Sequence, residues 1–147
     1  MATLTVNRTV AAPAELVFDI LTDHRGYARI TPLRSSTLER EGEPAPNGVG
    51  AIRDLRLAGP PIREEVTAFE RPTRFSYKML SGAPIRTYDA TVDLAADGQW
   101  TRVTWKVDST PSIPVPDGAW VAIIRLVITQ LLNGIAKESE RRARAGT

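Results

Sequence analysis

Arg53 and Glu64 lie in two alternating segments joined by the tight turn Ala58-Gly59-Pro60-Pro61. In Val49 to Leu57 the odd positions Val49, Ala51, Leu55 and Leu57 are apolar, so the face they share also carries Arg53. In Ile62 to Phe69 the residues Ile62, Val66 and Ala68 share a face, with Glu64 between them. A two-residue turn at Ala58-Gly59 pairs Leu57 with Pro60, Leu55 with Ile62, Arg53 with Glu64 and Ala51 with Val66. A four-residue loop makes Arg53 and Glu64 diagonal neighbours on the same face. Either charge alone would be costly among apolar side chains, so the two are expected to pair. Such a pair can anchor a carbonyl, carboxylate or phenol, or move a proton as acid and base. It can equally be a satisfied internal salt bridge.

The same parity extends the face. Phe75, Tyr77 and Met79 form the inward set of their strand. The dipeptide Asp97-Gly98 is a type I′ hairpin signal. A turn there pairs Ala96 with Gln99, Leu94 with Thr101, Val92 with Val103, Ala90 with Trp105 and Tyr88 with Val107. Tyr77 and Tyr88 can donate to a ligand oxygen or serve as core tyrosines with one polar partner. Trp105 reads as cavity wall or core. Arg8 falls on the apolar face of the strand Thr3 to Val10. The expected candidates for chemistry are Arg53, Glu64 and Tyr88. The expected ligand contacts are Arg8, Ala51, Leu55, Val66, Tyr77, Met79 and Trp105. Trp120, Ile124, Val127 and Leu131 of a C-terminal helix are expected to close the space. An apolar cavity with few convergent polar groups is what a small-molecule site requires.

Composition narrows the chemistry. The 147 residues are 42% apolar and 24% charged, which is globular, and one domain over 1–147 is expected. There is no cysteine and a single histidine, His24. Disulfide scaffolds, thiolate nucleophiles and zinc fingers are excluded. His24 has Asp23 and Tyr27 as neighbours, which is no metal-ligand pattern, and reads as a surface residue or a gate on access to the cavity. Gly48-Val49-Gly50 opens a strand and not a helix, so it is no phosphate loop. No metal or cofactor is expected. The formal charge is only +2, with basic and acidic residues mixed along the chain. Arg141, Arg142 and Arg144 suit the negative end of a helix dipole, and no nucleic-acid partner is expected. The N-terminal residues lack a signal-peptide pattern, and Ala119 to Ile128 is about half the length of a bilayer span and contains Arg125. The expectation is a cytoplasmic protein without a membrane span, a monomer or homodimer.

These side chains must be held by a definite order of elements. Thr3 to Val10 alternates as a half-buried strand. Ala12-Pro13-Ala14-Glu15 starts a helix whose stripe is Leu16, Val17, Ile20 and Leu21, and His24 to Ile30 reads as a second short helix or turn. Strands follow at Ser35–Arg40, Val49–Leu57, Ile62–Phe69, Phe75–Leu80, Thr87–Ala95 and Gln99–Asp108. Past a proline-rich linker, Asp117 can cap a long helix. Its broad apolar side runs from Trp120 through Ile123, Ile124, Val127, Ile128, Leu131 and Leu132 to Ile135, with Leu126 the exception on the polar side.

This order is that of a helix-grip fold, and local phrases sharpen the likeness. Val10-Ala11-Ala12-Pro13-Ala14-Glu15-Leu16-Val17-Phe18-Asp19 resembles the first strand-to-helix corner of the START/SRPBCC (Bet v 1-like) superfamily. Gly48-Val49-Gly50-Ala51-Ile52-Arg53, Arg63-Glu64-Glu65-Val66, Arg74-Phe75-Ser76-Tyr77 and Thr101-Arg102-Val103-Thr104-Trp105 extend it. Together they resemble the bacterial polyketide cyclase/dehydrase and lipid-transport branch. The resemblance implies an α+β fold: a curved seven-stranded antiparallel sheet wrapped on a long C-terminal helix, with two short helices after the first strand. It also implies an internal cavity for an apolar or amphipathic ligand. Fold does not decide function. One reading is a binding or carrier protein for a lipid, polyketide or isoprenoid-like compound. Another is a cofactor-free cyclase or dehydratase, in which Arg53 or a tyrosine stabilises an enolate and Glu64 moves the proton. The segment around Val66 carries no inward arginine, which counts against the aromatic polyketide reaction specifically. A third reading is an interaction protein of the same fold, which would need a large exposed apolar patch.

Overall fold

The computed structural model describes residues 2–23, 26–56, 60–82 and 84–146. His24, Leu57 and the turn residues Ala58 and Gly59 lie outside the described residues. Strand β1 (Ala2–Val10) is followed by helices α1 (Ala14–Thr22) and α2 (Tyr27–Ile30). Six strands come next: β2 (Ser35–Arg40), β3 (Ile52–Arg56), β4 (Ile62–Glu70), β5 (Arg74–Ser81), β6 (Ile85–Asp97) and β7 (Trp100–Pro111). Helix α3 (Asp117–Ala145) ends the chain. The seven strands form one curved antiparallel sheet in the order β1-β7-β6-β5-β4-β3-β2. A meander from β2 to β7 is thus closed by the first strand, which pairs with the last.

Helix α3 lies in the concave side of this sheet. Trp120, Ile124, Ile128, Leu132 and Ile135 recur every three or four residues and are buried against it. The helix contains an 18-residue stretch with mean hydropathy 1.6, long and apolar enough to cross a membrane by length and composition alone. In this fold about a third of that stretch, 33%, is buried. The first turn of α3 follows Pro116, and Asp117 sits inside it without capping by its side chain. The expectation of an aspartate cap is corrected: proline already supplies the extended backbone that enters the helix, and the acidic side chain acts only on the dipole.

Two strand expectations are also corrected. The third strand is shorter than Val49–Leu57. Gly50 has φ +90°, and Val49 forms only an isolated bridge to Glu43. The chain turns at Gly50 and then resumes pairing, with the Val66 N–H donating to the Ala51 carbonyl at 2.9 Å. The β6–β7 turn is displaced as well. Asp97 pairs with Trp100, so Gly98 and Gln99 make the turn, and Gly98 has φ +63°. Tyr88 therefore faces Ser109, Ala90 faces Val107 and Val92 faces Trp105. The partner moves by two residues, an even number, so every side chain keeps its face.

The interior is filled unevenly. Phe18 of α1 meets Phe69 and Phe75 of the sheet edge-on, with centroids 5.1 and 6.5 Å away, and these rings fill one end. Helix α2 packs on α3 at Gly134. A Cβ there would stand 2.0 Å from the Ile30 carbonyl oxygen, so only glycine permits this approach. Gly134→Ala is expected to destabilise the fold by roughly 1–3 kcal/mol through overpacking, although alanine favours helix. Gly118→Ala on the same helix meets nothing within 4 Å and should gain up to about 1 kcal/mol. Urea unfolding of both variants checks the contrast.

Candidate functional site

The register of β3 and β4 sets Arg53 directly opposite Glu64 and Leu55 opposite Ile62. This is the pairing expected of the two-residue turn. Arg53 Nε donates to Glu64 Oε1 at 2.7 Å, and Nη2 stands 2.5 Å from the same oxygen. Their side chains are 2% and 7% exposed, so the pair is removed from bulk water. The guanidinium is stacked on the Tyr77 ring at 4.3 Å, with Phe75 and Tyr27 rings at 5.5 and 5.7 Å. Burial works against the charge on Arg53, but Glu64, Tyr27 and Tyr77 outweigh it and raise the pKa above the ordinary value. The arginine is therefore a fixed cation inside an aromatic enclosure.

The tyrosines complete the polar end. Tyr27 donates to the Leu21 carbonyl and accepts from Arg53. Burial pushes its phenol up to about 12, partly opposed by the Arg53 charge. Trp105 Nε1 donates to Tyr77 Oη at 3.2 Å. Tyr77 and Tyr88 stack with centroids 6.0 Å apart. Both phenols are raised above the ordinary range, by burial first; neighbouring Tyr88 adds to the rise at Tyr77, and the Glu64 charge to that at Tyr88.

These groups face a cavity of about 410 Å³ between the sheet and α3. Arg53, Glu64, Tyr27, Tyr77 and Tyr88 are its polar lining, and Trp120 and apolar non-aromatic side chains make the rest. Trp120 is fixed at one wall because its Nε1 donates to Ser109 Oγ at 3.1 Å. At the mouth, Ile113, Ile123 and Val127 line the cavity while being 46, 50 and 45% exposed. Among the described residues no group of three or more His, Asp or Glu side chains could hold a metal ion.

Ten of the side chains expected from strand parity and from the apolar side of the helix border this space: Arg53, Glu64, Tyr88, Leu55, Tyr77, Met79, Trp120, Ile124, Val127 and Leu131. Four do not. Ala51, Val66 and Trp105 face inward and are buried, but other side chains cover them, Trp105 behind Tyr77. Arg8 lies beneath α3, where Nη1 donates to Asn133 Oδ1 at 2.5 Å, away from the cavity. Parity assigns a face; it does not say which part of that face stays uncovered. Tyr27 was not among the expected site residues, because no strand alternation marks a side chain on a four-residue helix. Ile113 and Val115 were missed too, although their alternation with Pro114 and Pro116 in the linker is a visible signal of an extended, one-sided segment.

Residues 1–140 match the family described as polyketide cyclase/dehydrase and lipid transport. The chain belongs to that family. A START superfamily protein from Mycobacterium smegmatis superposes over all of both chains with TM-score 0.77 and 16% identity. The Zhui aromatase/cyclase from Streptomyces sp. R1128 is 21% identical, with TM-score 0.74 over 98% of this chain and 96% of that one. Ara h 8.0201 gives TM-score 0.71 at 16% identity, covering 97% of each chain. At these identities the likeness establishes the helix-grip, Bet v 1-like fold. No curated protein matches the sequence significantly.

Two outcomes are expected of the polar end. All three tyrosines of the chain are the ones buried here, so the folded protein should show no phenolate absorbance at about pH 10.5, where the unfolded chain shows it. Because Tyr27 holds its proton more tightly when folded, its contribution to stability is complete below pH 10 and is lost as pH rises toward about 12. Arg53→Met or Glu64→Leu alone should each cost about 3–5 kcal/mol by stranding the other charge, and the double variant should recover most of that loss. Denaturant unfolding of the four proteins measures the cycle.

Proposed function

We propose that this protein binds a small apolar or amphipathic ligand, of lipid, polyketide or isoprenoid-like type, in the cavity beneath α3, with Arg53 and Glu64 as its polar anchor. The observation that carries this reading is an apolar space of about 410 Å³ whose polar groups gather around one buried ion pair. That volume falls in the range of small-molecule pockets. At an interior packing density of ~0.74 it accommodates roughly 300 Å³ of ligand. The family match and the fold support a ligand-binding or cyclase-type role at this coarser level. The proposal is of a soluble, cytoplasmic carrier or binding protein, a monomer or homodimer, that needs no cofactor.

The second reading is a cyclase or dehydratase. It is favoured by the name of the family and by the presence of a carboxylate and a tyrosine hydroxyl at one end of the cavity. Glu64 would accept a proton from carbon, and Tyr88 and Arg53 would stabilise the enolate that forms. The bonds that Arg53 already makes to Glu64 and Tyr27 favour holding a ligand over stabilising a new charge.

Blocking the mouth tests the site without touching the ion pair. Val127→Trp adds bulk at a half-exposed position on the cavity rim, whereas Leu126→Trp adds it at an outward position 61% exposed. Binding of a neutral apolar dye, followed by fluorescence, should weaken by about tenfold or more in Val127→Trp and stay unchanged in Leu126→Trp. Equal binding by both variants would place the ligand elsewhere.

A further inference from the structure

The polar end of the cavity has a direction. Trp105 Nε1–H can only donate, and it donates to Tyr77 Oη. The Tyr77 oxygen thus already has a donor, while the Tyr88 ring stacks on that of Tyr77 with centroids 6.0 Å apart. A phenol carries its own proton, so Tyr88 presents an O–H donor where it lines the cavity. On β4, one strand beyond β5, Glu64 receives both Arg53 Nε and Nη2 on Oε1, and Oε2 keeps its lone pairs as an acceptor. One donor and one acceptor therefore border the same space.

The charge balance points the same way. Arg53 and Glu64 are the charged residues lining the cavity, and they cancel. The cation is the more deeply covered of the two, held by Glu64 and stacked on Tyr77, while the carboxylate is the more accessible. A ligand carboxylate brought to this end would meet Glu64 before it met an available guanidinium, and it would strand a second anion beside one cation in a dry site. A hydroxyl group does both things the site asks: it accepts from Tyr88 and donates to Glu64.

Resting on the assignment of this cavity as the ligand site, we infer that the ligand carries a neutral hydroxyl head (an alcohol, phenol or enol) and that carboxylate-headed ligands are rejected. The natural ligand is then a neutral hydroxylated apolar molecule and not a free fatty acid.

Decanol and decanoate share a chain and differ in the head, and decanoate is ionised at about pH 8. Each is titrated against the protein loaded with the neutral dye aminoanthracene, and displacement is read by fluorescence. Decanol should displace the dye at about tenfold lower concentration than decanoate. Tyr88→Phe should erase most of that preference while retaining the dye, and Glu64→Gln should shift it toward decanoate. Decanoate equal to or better than decanol, with the dye bound, overturns the head-group assignment and leaves the cavity as the site. A Tyr88→Phe variant with an unchanged preference overturns it as well. Failure of the dye and both probes to bind removes the cavity assignment and this inference together.

Discussion

A guanidinium and a carboxylate placed inside an apolar sheet must satisfy each other or the fold loses several kcal/mol. Arg53 and Glu64 do so across β3 and β4, and much of the interior is arranged around that requirement. Tyr77 offers its ring face to the cation, Phe75 and Tyr27 stand close by, and Tyr27 in turn ties α2 to the end of α1 through Leu21. The aromatic enclosure keeps the pair dry, and the same burial keeps the surrounding tyrosines protonated. Burial, the main cause of their raised pKa values, and the ion pair, which tempers or adds to it, belong to one arrangement.

The cavity is the space this arrangement leaves. At one end Phe18, Phe69 and Phe75 pack edge-on and leave no room. At the other, α3 crosses the sheet with Trp120 anchored to Ser109, and Ile123, Ile124 and Val127 of its first turns line the space. Apolar side chains at the mouth stay exposed because they border an opening rather than a packed core. The apolar run that gives α3 a membrane-like hydropathy supplies both buried residues and the exposed rim residues Ile123 and Val127.

Alternation was the strongest signal in the chain. It placed Arg53, Glu64, Tyr77 and Tyr88 on one face because pleating has a period of two and each hairpin preserves it. That rule is robust to error: the turn after β6 lies at Gly98-Gln99 and not at Asp97-Gly98, yet no residue changed face. Local reading failed where geometry departs from the period. The left-handed backbone at Gly50 interrupts the strand, and Pro116 displaces Asp117 from the cap. Tyr27 could not be assigned, since a single helical turn carries no periodic evidence of what it faces.

The sequence by itself determined the order of elements, the inward faces of the strands, the pairing of Arg53 with Glu64 and the absence of thiol chemistry, because these depend on residue type and short-range period. Only the tertiary structure decided which inward residues meet empty space. Ala51, Val66 and Trp105 share the inward face with Leu55 and Tyr77, yet they are covered by neighbours brought from distant parts of the chain, and Arg8 is held by Asn133 125 residues away. Coverage is a property of packing between elements, and it depends on helix placement and side-chain volume that no local pattern encodes.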